Sequence, residues 1–427
     1  MTAVRASGYP EAAVRARAAR GAAAVFPPEE SYGQEVFGGT PASGDLLDQA
    51  RLVPPVFVPL RLEKLIELGR EPLFSDVDLT TGIGGFASSL PVFLSAFGST
   101  QLGGTELAVA ASRQAGRLGI PMVIGENVVP VNGYGRGAAS ANNALLTRVR
   151  AYLEEVPDGL GGVVVQQSTE DADAEVWNLV YSDPAAEPLL ASGRLGFELK
   201  VGQGAKPGLG GMTLLDAAAA ARVDDQYAVT DVFGSPERLL RSGSPGTFTD
   251  EILRQQIRLM RNNFPRARIW VKLPPGRDVA QAAQVAWTAG ADAVTVDGAE
   301  GGTGWAPTAF LDHVGVPLAE CLRRIGEPGG CLLAGGRMWE GARVVKALAL
   351  GVRAAALGRA ALIAVDEDRG QGLVRLLDAL ALESRLLISA LGKYRPDALA
   401  AEDLWFPADV ASAELPLHLP VRPVSAP

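Results

Sequence analysis

Cysteine and histidine are nearly absent from this chain of 427 residues, which holds two of each. Cys321 and Cys331 stand ten positions apart without a Cys-x-x-Cys pair, so neither a disulfide framework nor a thiolate zinc site has support. Both are expected as buried, reduced thiols. An iron–sulfur centre needs three or four thiolates and is not expected. His313 and His418 fall at no expected active-site strand end, so histidine general-base chemistry is not expected either. No apolar run is long enough for a signal peptide or a membrane span, and the protein reads as cytoplasmic. The net charge of −9 comes from charged residues spread along the chain. That spread leaves no basic stripe for nucleic acid and no polybasic membrane patch, and small-molecule chemistry remains.

Lysine is also scarce, with six against 33 arginines. A compact ammonium is not replaceable by a planar guanidinium in a tight site. Lys200, Lys206 and Lys272 all stand at or just beyond expected strand ends, which marks them as candidates for chemistry. Lys64, Lys346 and Lys393 read as ordinary solvated charges.

What the chain has in quantity is alternation. From Pro91 onward, short apolar runs at 91–95, 122–125, 163–166, 197–201, 269–273, 293–297, 331–334 and 354–357 alternate with helical stretches, the pattern of parallel strands joined by helical crossovers. Eight such units predict an α/β fold, a (β/α)8 TIM barrel over 91–400 with an N-terminal extension and a C-terminal tail. Residues 1–45, rich in Ala, Arg and Pro, form a partly mobile segment with one helix at 11–20. Residues 46–90 form a pre-barrel segment with a helical run at 61–69, and 401–427 a Pro-rich tail. Barrel helices are expected at 105–118, 214–222, 250–261, 279–289, 341–350 and 372–391, with Asp250 and Asp278 as N-terminal caps. The stretches 127–160 and 168–194 look too long for simple connections and predict lids or extra helices over the mouth. A doubly wound sheet would want a Gly-x-Gly-x-x-Gly turn after the first strand, and residues 96–100 do not supply one.

Active sites of such barrels lie at the C-terminal strand ends, with phosphate held after strands 7 and 8. Gly335, Gly336 and Arg337 follow strand 7, and Gly358 and Arg359 follow strand 8. They combine backbone N–H groups with guanidinium forks suited to phosphate. Lys272 ends strand 5 with a charge where an apolar side chain is usual. After strand 4 the chain runs Lys200-Val-Gly-Gln-Gly-Ala-Lys-Pro-Gly-Leu-Gly-Gly, a loop whose five glycines permit close backbone approach to a ligand. Lys200 and Gln203 leave one strand three positions apart, so they reach one ligand only if Gly202 and Gly204 bend the chain.

That motif resembles the signature of the FMN-binding domain of glutamate synthases. The resemblance continues through Ile120-Pro-Met-Val-Ile-Gly-Glu126, Val271-Lys-Leu273, Gly298-Ala-Glu-Gly-Gly-Thr-Gly304 and Gly335-Gly336, covering roughly 91–364. It implies FMN as cofactor, with Lys272 beside the flavin pyrimidine and Gly301, Gly302, Thr303 and Gly304 as a flavin loop. Ala96, Gly98 and Ser99 would run along the ring edge, and Gln166 would present its amide to the pyrimidine. For the substrate it implies Glu126, Lys200, Gln203 and Lys206 around an oxo or imino acid, where cation, amide and carboxylate could handle protons.

The departures bear on the reaction. The family's glutaminase domain and cysteine cluster have no counterpart here. Its Pro-Pro-His-His-Asp loop appears as 244–250, and Trp305 replaces a small residue. The expectation is an FMN-dependent glutamate synthase-like oxidoreductase acting on an amino, imino or 2-oxo acid. The alternatives are a redox-neutral flavin enzyme, an FMN subunit of a multi-protein synthase such as N-methylglutamate synthase, and a non-catalytic flavin-binding barrel. The presence of Lys200, Gln203 and Lys272 argues against the last. A homo-oligomer is compatible with the sequence, as is a companion subunit supplying electrons or ammonia.

Overall fold

The computed structural model describes residues 4–6, 8–25, 45–96, 104–125, 138–169, 174–221, 224, 227–232, 234, 238–303 and 306–407. Eight parallel strands close into a barrel: β1 Val92–Leu94, β2 Met122–Ile124, β3 Val163–Ser168, β4 Leu195–Lys200, β5 Arg268–Leu273, β6 Ala293–Asp297, β7 Leu332–Gly335 and β8 Ala354–Leu357. They pair in sequence order, and β8 returns to β1 to complete the circle. Each lies within two residues of the range expected from the apolar runs. Strands buried on both faces carry nearly continuous apolar sequence, which makes them visible without an alternating pattern.

The barrel's N-terminal end is stopped by an antiparallel hairpin, Thr81–Ile83 with Phe86–Ser88. Ile83 and Phe86 pack into the interior against Phe93, Val123, Val164, Trp270 and Leu333. The Trp270 indole N–H donates to the carbonyl of Gly84 at 3.0 Å. Gly84 has φ +54°, and a Cβ there would lie 2.4 Å from the indole nitrogen, so the turn needs glycine. Since one end of the interior is filled with apolar side chains, ligand chemistry is confined to the other.

Several helices differ from expectation. The stretches expected as lids or extra helices contain, among the described residues, the helices of the crossovers after β2 and β3: Ala138–Leu153, then Ala174–Ser182 and Glu187–Ala191. The first packs closely on helix Gly104–Leu118, where a Cβ at Gly116 would sit 2.4 Å from the carbonyl oxygen of Tyr152. The helix expected at 214–222 is instead strand Met212–Leu215 followed by helix Ala217–Ala220, whose N-cap Asp216 accepts from the Ala219 N–H. That strand belongs to a three-stranded antiparallel sheet with Leu239–Ser242 in the centre and Ala228–Thr230 outside. Leu214 and Leu215 pair with residues about 25 positions on, and such non-local pairing overrides the local helical pattern. The cap of helix Asp250–Asn263 is Thr249, which accepts from the Ile252 N–H, leaving Asp250 in the first turn. Asp278 holds its cap position without a side-chain hydrogen bond.

Two lysines expected to be solvated are not. Lys393 is buried and paired with Asp403 at 2.6 Å. Lys346 donates to the Asp48 carbonyl at 2.9 Å, and burial lowers its pKa. Near the N-terminus, helix Glu11–Arg20 buries Val14 and Ala18 and lies on helices Arg359–Glu367 and Gly372–Ala390.

Under that helix, burial raises the Glu340 carboxyl from 4.5 to about 7, with Glu383 and Asp48 adding to the effect and Arg17 and Lys346 opposing it. Between those two pH values the unfolded chain has lost the proton that the folded chain keeps. Stability therefore falls as pH rises across this window. Glu340→Gln is expected to remove that slope and to stabilise the protein at pH 8 by on the order of 2 kcal/mol. Urea unfolding at pH 5 and pH 8 checks this, and identical pH slopes in both proteins would refute it.

Candidate functional site

Side chains alternate across a strand, so the inward positions of β3 to β6 follow from the apolar plug. Val164, Trp270 and Ala293 belong to that plug. Two residues further along, the inward positions become Gln166, Glu198, Lys272 and Thr295, and two further still, Ser168, Lys200 and Asp297. The strand register places Lys272 opposite both Lys200 and Thr295, and Gln166 opposite Glu198. The interior therefore changes from apolar to polar along the barrel axis, toward the C-terminal mouth.

The polar layer is tightly bonded. The Lys272 ammonium lies 3.1 Å from Asp297 Oδ2, with both side chains at most 7% exposed. Asp297 Oδ2 also accepts from the Gly204 N–H at 3.2 Å. Glu198 accepts from the Gln166 amide and, at 3.2 Å, from the Thr295 hydroxyl. Burial raises the Glu198 pKa, and the neighbouring Lys272 works against that rise. A Cβ on Gly335 would fall 2.2 Å from Asp297 Oδ1, so the first glycine after β7 makes room for this carboxylate.

The glycine loop after β4 bends as the side-chain argument required. Gly204 has φ +45° and packs against the carbonyls of Gly301 and Gly302 and the methyl of Thr303, while Gly202 packs on Pro274. The bend brings the Lys200 ammonium 3.2 Å from Gln203 Oε1, and the Gln203 amide donates to the Gly302 carbonyl at 3.3 Å. Lys206 follows in the same loop, half-buried, with its carbonyl accepting from the Leu209 N–H. Ala96 sits half-buried at the end of β1 against the inner apolar cluster. Glu126, Gly98, Ser99 and Gly304 lie outside the described residues.

The loops after β7 and β8 converge on the same mouth. Arg337 has φ 56°, the one positive value outside glycine among the described residues. Its guanidinium is engaged by Asp48 at 2.9 Å. Arg359 donates to the Glu300 carbonyl oxygen and lies 4.6 Å from the Tyr9 ring centroid. Both expected phosphate forks thus already have protein partners. Behind them, fully buried Arg343 binds Asp45, Asp48 and Glu300 at 2.8, 2.6 and 2.8 Å and the Gly336 carbonyl at 3.0 Å. Among the described residues, Gly302 has nothing within 4 Å of a built Cβ, and Gly358 only the Ser95 Cβ at 4.0 Å. Helix Arg359–Glu367 starts there, its first N–H groups lacking intrahelical partners.

Sequence reasoning missed Glu198, Thr295, Asp297 and Glu300. Their signal was available: polar residues at the inward parity of apolar strands, or within a glycine-rich loop. Gln166 was singled out as a flavin contact, and its amide bonds Glu198. A cavity of about 600 Å³ lies beside the mouth, lined by Thr169 after β3 and by Tyr227, Ala228, Ser242, Gly243, Ser244 and Gly246. Thr169 is tied to the Lys200 carbonyl at 3.1 Å. Ala228 and Ser242 of the three-stranded sheet thus line the same cavity as a residue bonded to the end of β4.

Removing the cation from a buried pair leaves an uncompensated carboxylate, which costs about 3 to 5 kcal/mol. Lys272→Met is expected to lose stability in that range, and adding Asp297→Asn is expected to recover part of it. The urea midpoints of wild type, single and double variants check this. A double variant no more stable than Lys272→Met would contradict it.

Comparison with known proteins places the mouth in a family context. Residues 189–369 match the conserved region in glutamate synthase. The archaeal-type glutamate synthase (NADPH) of Thermotoga maritima is 32% identical over 197 residues, 41% of this chain and 38% of that protein. The archaeal glutamate synthase (NADPH) of Methanocaldococcus jannaschii is 31% identical over 204 residues, with the same coverage. The glutamate synthase large subunit-like protein of Rhizobium meliloti is 35% identical over 179 residues, 40% of each chain. The chain thus spans about two-fifths of the length of the curated relatives it matches. Among solved structures, a soluble mutant of the membrane-associated (S)-mandelate dehydrogenase from Pseudomonas putida superposes with a TM-score of 0.54 at 17% identity, over 94% of this chain and 100% of that one. A flavocytochrome b2 variant with sulfite bound gives a TM-score of 0.54 at 17% identity, over 88% and 80%. These likenesses establish the barrel fold. Residues 189–369, from the helix before β4 to just past helix Arg359–Glu367, are thus the part of the chain that matches the conserved region in glutamate synthase.

Proposed function

We propose that this chain is an FMN-dependent oxidoreductase acting on an amino, imino or 2-oxo acid. The observation that carries the proposal is the pairing of Lys200 with Gln203 at 3.2 Å on the glycine loop, one strand away from buried Lys272. All three lie within the matched region. The residues present fit a flavin mononucleotide. A Cβ at Gly302 or Gly358 would meet little of the described structure, and the N-terminus of helix Arg359–Glu367 suits a phosphate dianion. Lys272 offers a buried positive charge inside the same ring of strands.

In this reading Gly335, Gly336, Arg337, Gly358 and Arg359 hold the phosphate end. Ala96, Gly98, Ser99, Gln166, Lys272 and the 301–304 loop hold the ring end. FMN when bound supplies two-electron redox chemistry, and the protein supplies position and charge. Lys200 offers its ammonium to a substrate carboxylate or oxo group, and Gln203 an amide hydrogen bond. Their mutual contact fixes both rotamers before the ligand arrives, which lowers the ordering cost of binding. Lys206 adds a second cation, and Glu126 holds or gives a proton at the amino-bearing carbon. Asp297 binds the Gly204 N–H, so the loop that carries Gln203 is tied to the layer that carries Lys272.

Purified protein reconstituted with FMN is expected to keep flavin absorbance after desalting. Lys200→Met and Gln203→Leu are each expected to keep the flavin while slowing its anaerobic reduction by the active amino acid about 100-fold. The double variant is expected to be little worse than either single, because the two groups act as one unit. Stopped-flow absorbance reads this. Loss of flavin from the variants, or reduction at the wild-type rate, would assign the loop to cofactor binding or to the fold.

A further inference from the structure

The N-terminal segment returns to the loops after β7 and β8 and grips them at several points. Tyr9, 9% exposed, donates its hydroxyl to the Met338 carbonyl at 2.8 Å, one residue beyond Arg337. Its ring lies 4.6 Å from the Arg359 guanidinium. The Val4 N–H donates to Asp366 at 3.0 Å. Arg15 bridges Asp366 and Glu367 at 3.0 and 2.9 Å. Arg17 binds both oxygens of Glu383 and lies 4.8 Å from the Trp339 ring centroid. Apart from Glu383, every residue gripped here follows β7 or β8.

The Tyr9 contacts differ from the rest. The salt bridges of Arg15 and Arg17 anchor the helix to the outside of the barrel, whereas Tyr9 touches the two turns from which a phosphate would be bound. Arg359 is a long side chain with several rotamers, and ordering it for one anion costs entropy. Here its guanidinium is fixed from two directions, by the Glu300 carbonyl that it donates to and by the aromatic face of Tyr9. The Tyr9 hydroxyl is kept neutral, since burial raises its pKa. It therefore adds a donor to the Met338 turn without adding negative charge beside the anion site.

We propose that Tyr9 is a positioning residue for the phosphate end of the cofactor, its ring fixing Arg359 and its hydroxyl fixing the turn after Arg337. The N-terminal segment thereby sets how tightly the cofactor is retained. This rests on the FMN reading of the barrel mouth, and it assigns to a residue outside the matched region a part in that site.

The test compares FMN with riboflavin, which has the same ring system and no phosphate. Flavin-free full-length wild type, Tyr9→Phe, Tyr9→Leu and Tyr9→Ala are titrated with each flavin by fluorescence quenching, and the melting temperature of each flavin-free protein is recorded. Tyr9→Ala and Tyr9→Leu are expected to weaken FMN binding about tenfold, the scale of one desolvated cation–π contact, while riboflavin affinity stays within about twofold. Tyr9→Phe keeps the ring and is expected to fall between wild type and Tyr9→Leu. Equal losses for both flavins, or no loss for FMN, would overturn the proposal. Wild type that binds neither flavin would overturn the FMN reading itself and the proposal with it, an outcome distinct from the other two.

Discussion

A lysine ammonium held inside a barrel wall needs a carboxylate beside it, and the mouth of this protein is arranged around that requirement. Lys272 is satisfied by Asp297 at 3.1 Å. Asp297 in turn holds the Gly204 N–H and needs the space left by Gly335. One ion pair therefore links β5, β6, β7 and the loop after β4. Glu198 completes the layer through Gln166 and Thr295. Such a set is costly to bury and gives little net stability compared with apolar packing. Its placement at the open end, above an interior otherwise filled by Trp270, Phe93 and the 81–88 hairpin, is the arrangement expected where charge is retained for chemistry.

A second group of charges supports the loops after β6 and β7 from behind. Arg343 is fully buried and binds three carboxylates, two of them from the short helix Leu46–Gln49 and its cap Asp45. The third, Glu300, also accepts from the N–H of Leu318, the first residue of helix Leu318–Ile325. Segments before the barrel, Tyr9 as well as Asp45 and Asp48, thus take part in shaping loops that follow β6, β7 and β8. The loops after β6 and β7 are held in position by Arg343, which is itself fully buried behind them.

Much of this was legible in the sequence. The strands were visible because each is a short, nearly unbroken apolar run, often closed by glycine, lysine or aspartate. Lys200, Gln203 and Lys272 stood out as polar residues at strand ends in a chain poor in lysine, and the bend that unites the first two followed from Gly202 and Gly204. Less legible was everything set by distant partners. The three-stranded sheet of 212–242 depends on Leu214 and Leu215 finding Leu240 and Leu239. The partners of Arg337 and Arg359, Asp48 and Tyr9, come from segments far away in sequence. Lys346 and Lys393 looked like surface charges because nothing local announces Asp48 or Asp403. Glu198 and Asp297 were readable from strand parity once the plugged end of the barrel was known, and that depended on the hairpin.

Under the proposal made above, the C-terminal mouth of this barrel is a flavin site served by Lys272 and the glycine loops. A crystal structure of the protein soaked with FMN tests it most directly. Ring density is expected in contact with Lys272 and the 301–303 loop, with the phosphate at the N-terminus of helix Arg359–Glu367. Clear protein density at the mouth with no flavin there, or flavin bound elsewhere on the chain, would contradict it.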